Sequence, residues 1–250
     1  MRNNSIAAAF GLVKSFCVYY CKPGWVFRMK NFYRFFITPG TLCFDIGAHL
    51  GNRIHAWRRL GGIVVACEPH PQCFRFLQNH YGKKENIFLL NTAVSERRGE
   101  DVLHISSGSP TLSTISEEWI KIVSTARIFS GITWDSSVSV QVTTLDNLIE
   151  KYGLPGFIKI DTEGSELSVL KGLHHQVPAL SFEYLPASLE IAEHCIEELK
   201  RLGNYRFNLS AVETMKMLWK EWKTGDSVLD YFSRLSADSR SGDVYARRSQ

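Results

Sequence analysis

Apolar positions along the chain recur in two periods. Short apolar runs predict strands near Leu42 to Ile46, Gly62 to Cys67, Ile87 to Asn91, Gly156 to Ile160, Leu180 to Tyr184, Tyr205 to Leu209 and Gly242 to Ala246. Between them lie helical spacings. Pro71 to Tyr81 places Phe74, Leu77 and Tyr81 on one face, Thr144-Leu-Asp-Asn begins a capped helix, and Leu167 to Leu173 and Ile191 to Leu202 continue the alternation. Strand and helix taking turns in this way predicts an α/β fold, a parallel sheet with helices on both faces. Two stretches break the rhythm. Ser106 to Trp134 reads as an inserted cap with a helix start at Ser116-Glu-Glu-Trp119, and Val138-Ser-Val-Gln-Val142 alternates as a short extra strand. The second excursion precedes Gly242 and carries Met217, Leu218 and Trp222 at helical spacing.

Composition narrows this to one ordinary globular domain. The 250 residues are 44% hydrophobic and 22% charged, with no uninterrupted apolar stretch of transmembrane length. We divide them into an N-terminal helical and aromatic extension, residues 1–40, packing on the core, and one domain, residues 41–250. The extension, from Ile6 to Phe36, mixes aromatic residues with lysine and arginine and has no Ala-x-Ala cleavage pattern. Covering the core is its expected role, with an oligomer contact or a peripheral membrane contact as alternatives. Six cysteines without a Cys-x-x-Cys pair fit a reducing, cytoplasmic setting. A net charge of +4 is too small to call for nucleic acid, and Arg53, Arg58 and Arg59 are expected to form a solvated helix face.

Chemistry concentrates where the predicted strands end. Asp45-Ile-Gly47-Ala48-His49-Leu-Gly51-Asn52 is a glycine turn holding an acid, and the next strand ends in Glu68-Pro69. Such a turn lets the backbone pass close beneath a ligand, and Glu68 stands where a ribose diol would meet a carboxylate. Asp45 separates two cofactor classes. It would repel the pyrophosphate of a dinucleotide, whereas S-adenosylmethionine brings an ammonium group that it can attract directly or through water. Asn91-Thr92-Ala93-Val94 is expected to close the third strand at the same end of the sheet. The expected donor site is therefore Asp45, Gly47, Ala48, Gly51, Asn52, Glu68, Pro69, Ala93 and Asp161.

A second group of acids follows the later strands. Asp161-Thr-Glu163-Gly164-Ser-Glu166 turns from strand to helix, and Glu183 ends the next strand. Asp161, Glu163 and Glu183 are the candidates for catalysis, as carboxylates able to take a hydroxyl proton. Glu166, inside the helix, is expected to make a structural contact. His49 is read as a loop residue under the cofactor rather than as a base.

These motifs resemble the FkbM family of S-adenosylmethionine-dependent methyltransferases. Phe44 to Asn52, Val65 to Pro69, Thr144 to Leu148 and above all Ile158-Lys-Ile-Asp161-Thr-Glu163-Gly164-Ser-Glu166-Leu-Ser-Val-Leu170-Lys-Gly172 follow the family's pattern in order, and the likeness runs from about Thr41 to Leu185. His49 stands where the family often has Asn. The resemblance implies a Rossmann-like seven-stranded methyltransferase sheet, mostly parallel with an antiparallel last strand. It also implies O-methylation of a hydroxyl on a sugar, glycolipid or natural product, so a small-molecule or glycan acceptor is the expected partner. Two other classes are weighed against it: a non-catalytic S-adenosylmethionine-binding module, and an NAD-dependent oxidoreductase, which the missing third glycine disfavours. No metal is expected. Catechol-type O-methyltransferases hold magnesium with acids after the fourth and fifth strands, but their adjacent Asp-Asn pair is replaced here by Ser181-Phe-Glu183-Tyr184.

Overall fold

The structure is a computed structural model, and it describes residues 24–212 and 214–249. The part of the N-terminal extension from residue 1 to residue 23 lies outside the described residues.

Helix α1 (Trp25–Tyr33) precedes a βα series: β1 (Leu42–Ile46), α2 (Asn52–Arg58), β2 (Ile63–Cys67), α3 (Pro71–Tyr81) and β3 (Ile87–Leu90). A second sheet follows, from β4 (Ala93–Val94), β5 (Gly99–Ile105) and, after α4 (Glu117–Val123), β6 (Ser136–Thr143). The main sheet resumes through α5 (Leu145–Tyr152), β7 (Phe157–Ile160), α6 (Glu166–Lys171), β8 (Ala179–Tyr184), α7 (Leu189–Leu202), β9 (Tyr205–Ala211), α8 (Gly225–Phe232) and β10 (Gly242–Arg248). Its seven strands run in the order β3-β2-β1-β7-β8-β10-β9. Only β10 is reversed, pairing antiparallel with both β8 and β9. Strand order changes direction between β1 and β7, so the loops after β1, β2 and β7 open into one crevice.

Helices cover both faces of these strands, which explains why they read as nearly continuous apolar runs. Along β1, β2 and β7 the side chains alternate between two cores. Phe44, Ile46, Val65, Cys67, Ile158 and Ile160 face α5, α6, α7 and α8. Cys43, Val64, Ala66 and Phe157 face Trp25, Met29 and Tyr33 of α1 and Ile54 and Trp57 of α2. No helix among the described residues is long and apolar enough to cross a membrane.

Four details differ from the sequence reading. The third strand stops at Leu90, and Ala93-Val94 leaves to pair with β6 in the second sheet. The strand β5 was not predicted, because its first residues are exposed and polar and carry no apolar alternation. Met217, Leu218 and Trp222 do not lie on a helix. The chain there pairs along the free edge of β9: Leu218 N–H donates to Leu209 O, Asn208 grips both Trp219 N–H and Trp219 O, and Phe207 bridges Lys223. The helix of that excursion is α8, where Thr224 Oγ1 caps the Ser227 amide at 3.2 Å. Finally, Arg53 is not on a solvated face. It is buried, and only Arg58 and Arg59 are exposed.

Candidate active site

One cavity lies over the carboxyl ends of β1, β2, β7 and β8, roofed by residues 110–115 of the cap and flanked by Val212 and Gly242. Gly47, Asn52, Glu68, Pro69, Ala93, Asp161, Glu163 and Glu183 all line it. Asp45, Ala48 and Gly51 do not line the cavity itself: Asp45 lies near the end of β1, and Ala48 and Gly51 belong to the turn that forms the floor. Gly47 explains how that floor closes. At φ +83° its Cα sits against the backbone carbonyl of Asp161, where any Cβ would collide, so the β1 turn and the β7 end can touch.

The donor side is organised by Glu68. Its two carboxylate oxygens accept the His49 amide at 2.6 Å and the His70 amide at 2.8 Å, tying the loops after β1 and β2 together. Burial pushes Glu68 up to about 7 despite those two amides. A carboxylate has about four lone-pair sites, so two remain for hydroxyl donors. Asp45 and Asn52 are the other informative groups. Both are buried, and neither oxygen of Asp45 nor Asn52 Nδ2 has a hydrogen-bond partner among the described residues. Buried polar atoms are seldom left unmatched. An orphan acid and an orphan amide donor beside one turn suit the ammonium and carboxylate of an amino-acid moiety. Burial raises Asp45 to about 6, with Arg53 opposing and Asp161 adding to the shift. His49 lines the cavity at φ +48°, and burial followed by His70 lowers its imidazole to about 4, so it is neutral and a weak base.

The other side holds a charge network that the sequence reading missed. Lys159 is fully buried, with Nζ 2.9 Å from Asp243 Oδ1 and 3.5 Å from Asp161 Oδ2. Arg53 reaches the same Asp161 oxygen at 3.1 Å, and Tyr245 Oη donates to Asp243 at 3.2 Å. Burial alone would raise Asp161, but the Lys159 ammonium and Arg53 guanidinium hold its carboxyl below the ordinary carboxylate range. Burial alone would lower Lys159, but Asp161 and Asp243 more than offset it and keep the ammonium charged. A charged residue inside the apolar run Phe157-Ile-Lys-Ile160 was the available signal: a lysine there needs an acid.

Glu163 and Glu183 are placed differently. One carboxylate oxygen from each, with one from Asp161, falls in a group within 4.8 Å. Burial pushes Glu163 well above the ordinary range, and Glu183 and Asp161 push it further. Glu183 is likewise raised by burial and then by Asp161. Glu163 sits at φ +51°, and its loop is held from both sides. Glu166 accepts the amides of Thr162 and Gly164 at 2.9 and 3.0 Å, a structural contact to the backbone, and Thr114 Oγ1 from the cap donates to Glu163 O at 2.7 Å.

A parallel sheet with one reversed strand, a crevice at its switch point and an acid ending β2 define a nucleoside-binding methyltransferase fold. The chain's family is equally definite. The FkbM methyltransferase domain matches residues 45–232, and the chain belongs to that family, with S-adenosylmethionine as its methyl donor. No curated protein matches the chain. Among solved structures it is similar to precorrin-6y C5,15-methyltransferase from Geobacter metallireducens, at 12% identity and a TM-score of 0.48 over 88% of this chain and 86% of that one. It is also similar to fibrillarin from Aeropyrum pernix with bound S-adenosylmethionine, at 10% identity and 0.44 over 84% and 67%. A TehB-like S-adenosylmethionine-dependent methyltransferase from Corynebacterium glutamicum shows 11% identity and 0.41 over 89% and 88%.

Proposed function

We propose that the protein methylates a hydroxyl oxygen on a sugar, glycolipid or natural product, with Glu163 or Glu183 taking the hydroxyl proton. The observation carrying this reading is the pair of half-buried, raised carboxyls beside Asp161 in the same cavity as Glu68 and the Gly47 turn. The bound donor supplies an electrophilic methyl group on a good leaving group. The chain's residues supply position and proton transfer. Glu68 would hold the ribose diol, Asp45 and Asn52 would meet the amino-acid end, and Asp161, fixed by Arg53 and Lys159, would set the line along which acceptor and methyl meet. With the donor bound, its methyl group would pass to the acceptor oxygen and the carbon–sulfur electron pair would stay with sulfur, while Glu163 or Glu183 would accept the hydroxyl proton. Raised carboxyls are stronger bases once ionised, which suits a weakly acidic hydroxyl.

The three grouped acids could in composition receive a divalent cation. Asp161 is already committed to Lys159 and Arg53, and we assign the group to proton transfer, with activity persisting in chelator. Labelled methyl transfer to panels of glycans, glycolipid precursors and hydroxylated metabolites tests the reading. With an accepted substrate, Glu163→Gln or Glu183→Gln should lower kcat by roughly 10²-fold to 10⁴-fold while donor affinity holds, and should remove the acid limb of the kcat–pH profile. Full activity in both variants would reject proton transfer by these acids.

A further inference from the structure

The first 44 residues contain six lysines and arginines and no acid, so this segment carries +6 and the rest of the chain −2. In the structure, the described part of this basic segment borders a groove that shares no lining residue with the cavity of Asp161, Glu163 and Glu183. Helix α1 buries Trp25, Met29 and Tyr33 against the sheet, while Phe27 is 67% exposed and Phe35, just past the helix end, is 61% exposed. The groove between α1 and the strap along β9 is lined by Arg28, Phe32, Phe35, Lys216, Lys220 and Trp222. Arg28, Arg34, Lys216 and Lys220 are all exposed, and none pairs with an acid among the described residues. Phe35 stacks on Trp222 with centroids 6.1 Å apart, so the aromatic rim is continuous across the groove.

We propose that this face binds the surface of an anionic lipid bilayer. Exposed phenylalanines are poorly solvated in water and favourably placed at the boundary between headgroups and acyl chains, while lysine and arginine beside them meet anionic headgroups. Both kinds of side chain occur together here, and the four basic groups, unpaired among the described residues, complement such a surface. A second copy of the same basic face would repel the first. The strap also links the face to the cavity: Val212 lines the cavity and Thr214 the groove. A lipid-linked hydroxyl acceptor could therefore be met at the surface that carries it. That corollary alone rests on the proposed function, and the binding itself does not.

The test is co-sedimentation of the full chain with vesicles of phosphatidylserine and phosphatidylcholine, and with phosphatidylcholine alone, at low salt and at about 0.5 M salt. Binding should require the anionic lipid and fall with salt. The double variants Lys216→Glu with Lys220→Glu, and Phe27→Ser with Phe35→Ser, should each weaken it by about tenfold or more, with melting temperature and S-adenosylmethionine affinity unchanged. Absence of binding to anionic vesicles, or undiminished binding by both variants, overturns the proposal. So does a dimer in solution that the phenylalanine variant dissociates, which would assign the face to a second copy. Tighter capture of an RNA oligonucleotide than of the vesicles would also overturn it.

Discussion

Lys159 is the residue whose environment departs furthest from its ordinary preference. Its strand is covered on both sides, its side chain is fully buried, and its charge is retained because Asp243 and Asp161 lie at 2.9 and 3.5 Å. Removing one member of such a network strands the others in a medium that solvates them poorly. Lys159→Met should therefore destabilise the protein by about 3–5 kcal/mol, measured by denaturant unfolding, and Lys159→Met combined with Asp243→Asn should recover part of that loss. A single-variant cost below about 1 kcal/mol would mean the network is solvated. The same residue shows where sequence reading stops. Asp161 was legible because it ends a strand at a turn, but the network around it draws on α2, on its own strand and on β10, and only folding brings Arg53 to Asp161 and Asp243 to Lys159.

Among the elements, the cap is fastened to the loop after β7 by Thr114 and by Trp119. Trp119 of α4 packs directly on Gly164, a residue at φ +90° whose missing Cβ leaves room for the indole. Gly164→Ala brings a collision with the Trp119 ring together with a strained backbone, at a cost of about 1–3 kcal/mol. The cap should loosen while the donor loops stay intact. Limited proteolysis should then cut faster within residues 106–134, with S-adenosylmethionine affinity little changed. Protection equal to the parent would show that the contact does not hold the cap. Elements with unambiguous periods were legible beforehand: α3 spans Pro71–Tyr81 as its apolar spacing indicates, and β1 and β2 follow their apolar runs. The strap was not, because Met217, Leu218 and Trp222 satisfy a helical period equally well. The free edge of β9 decides the matter, and an edge exists only in the assembled sheet.

For the molecule as a whole, the cavity gathers more acid than base. Asp45 is raised by burial to about 6 and Glu68 to about 7, above their values near 4 in an unfolded chain. The folded apoprotein thus holds protons that the unfolded chain has released. The stability linked to these groups is full at about pH 4 and is lost as pH rises through 6 and 7. Donor binding should run the opposite way, because S-adenosylmethionine carries a sulfonium and favours the ionised acids. The most direct measurement is isothermal calorimetry of S-adenosylmethionine with the parent protein and with Glu68→Ala, at pH 6 and pH 8. The parent should bind more tightly at pH 8, and Glu68→Ala should bind roughly tenfold to hundredfold more weakly with a flatter pH dependence. No binding at about millimolar donor, or equal affinity in the variant at both pH values, would contradict a donor site built on Glu68.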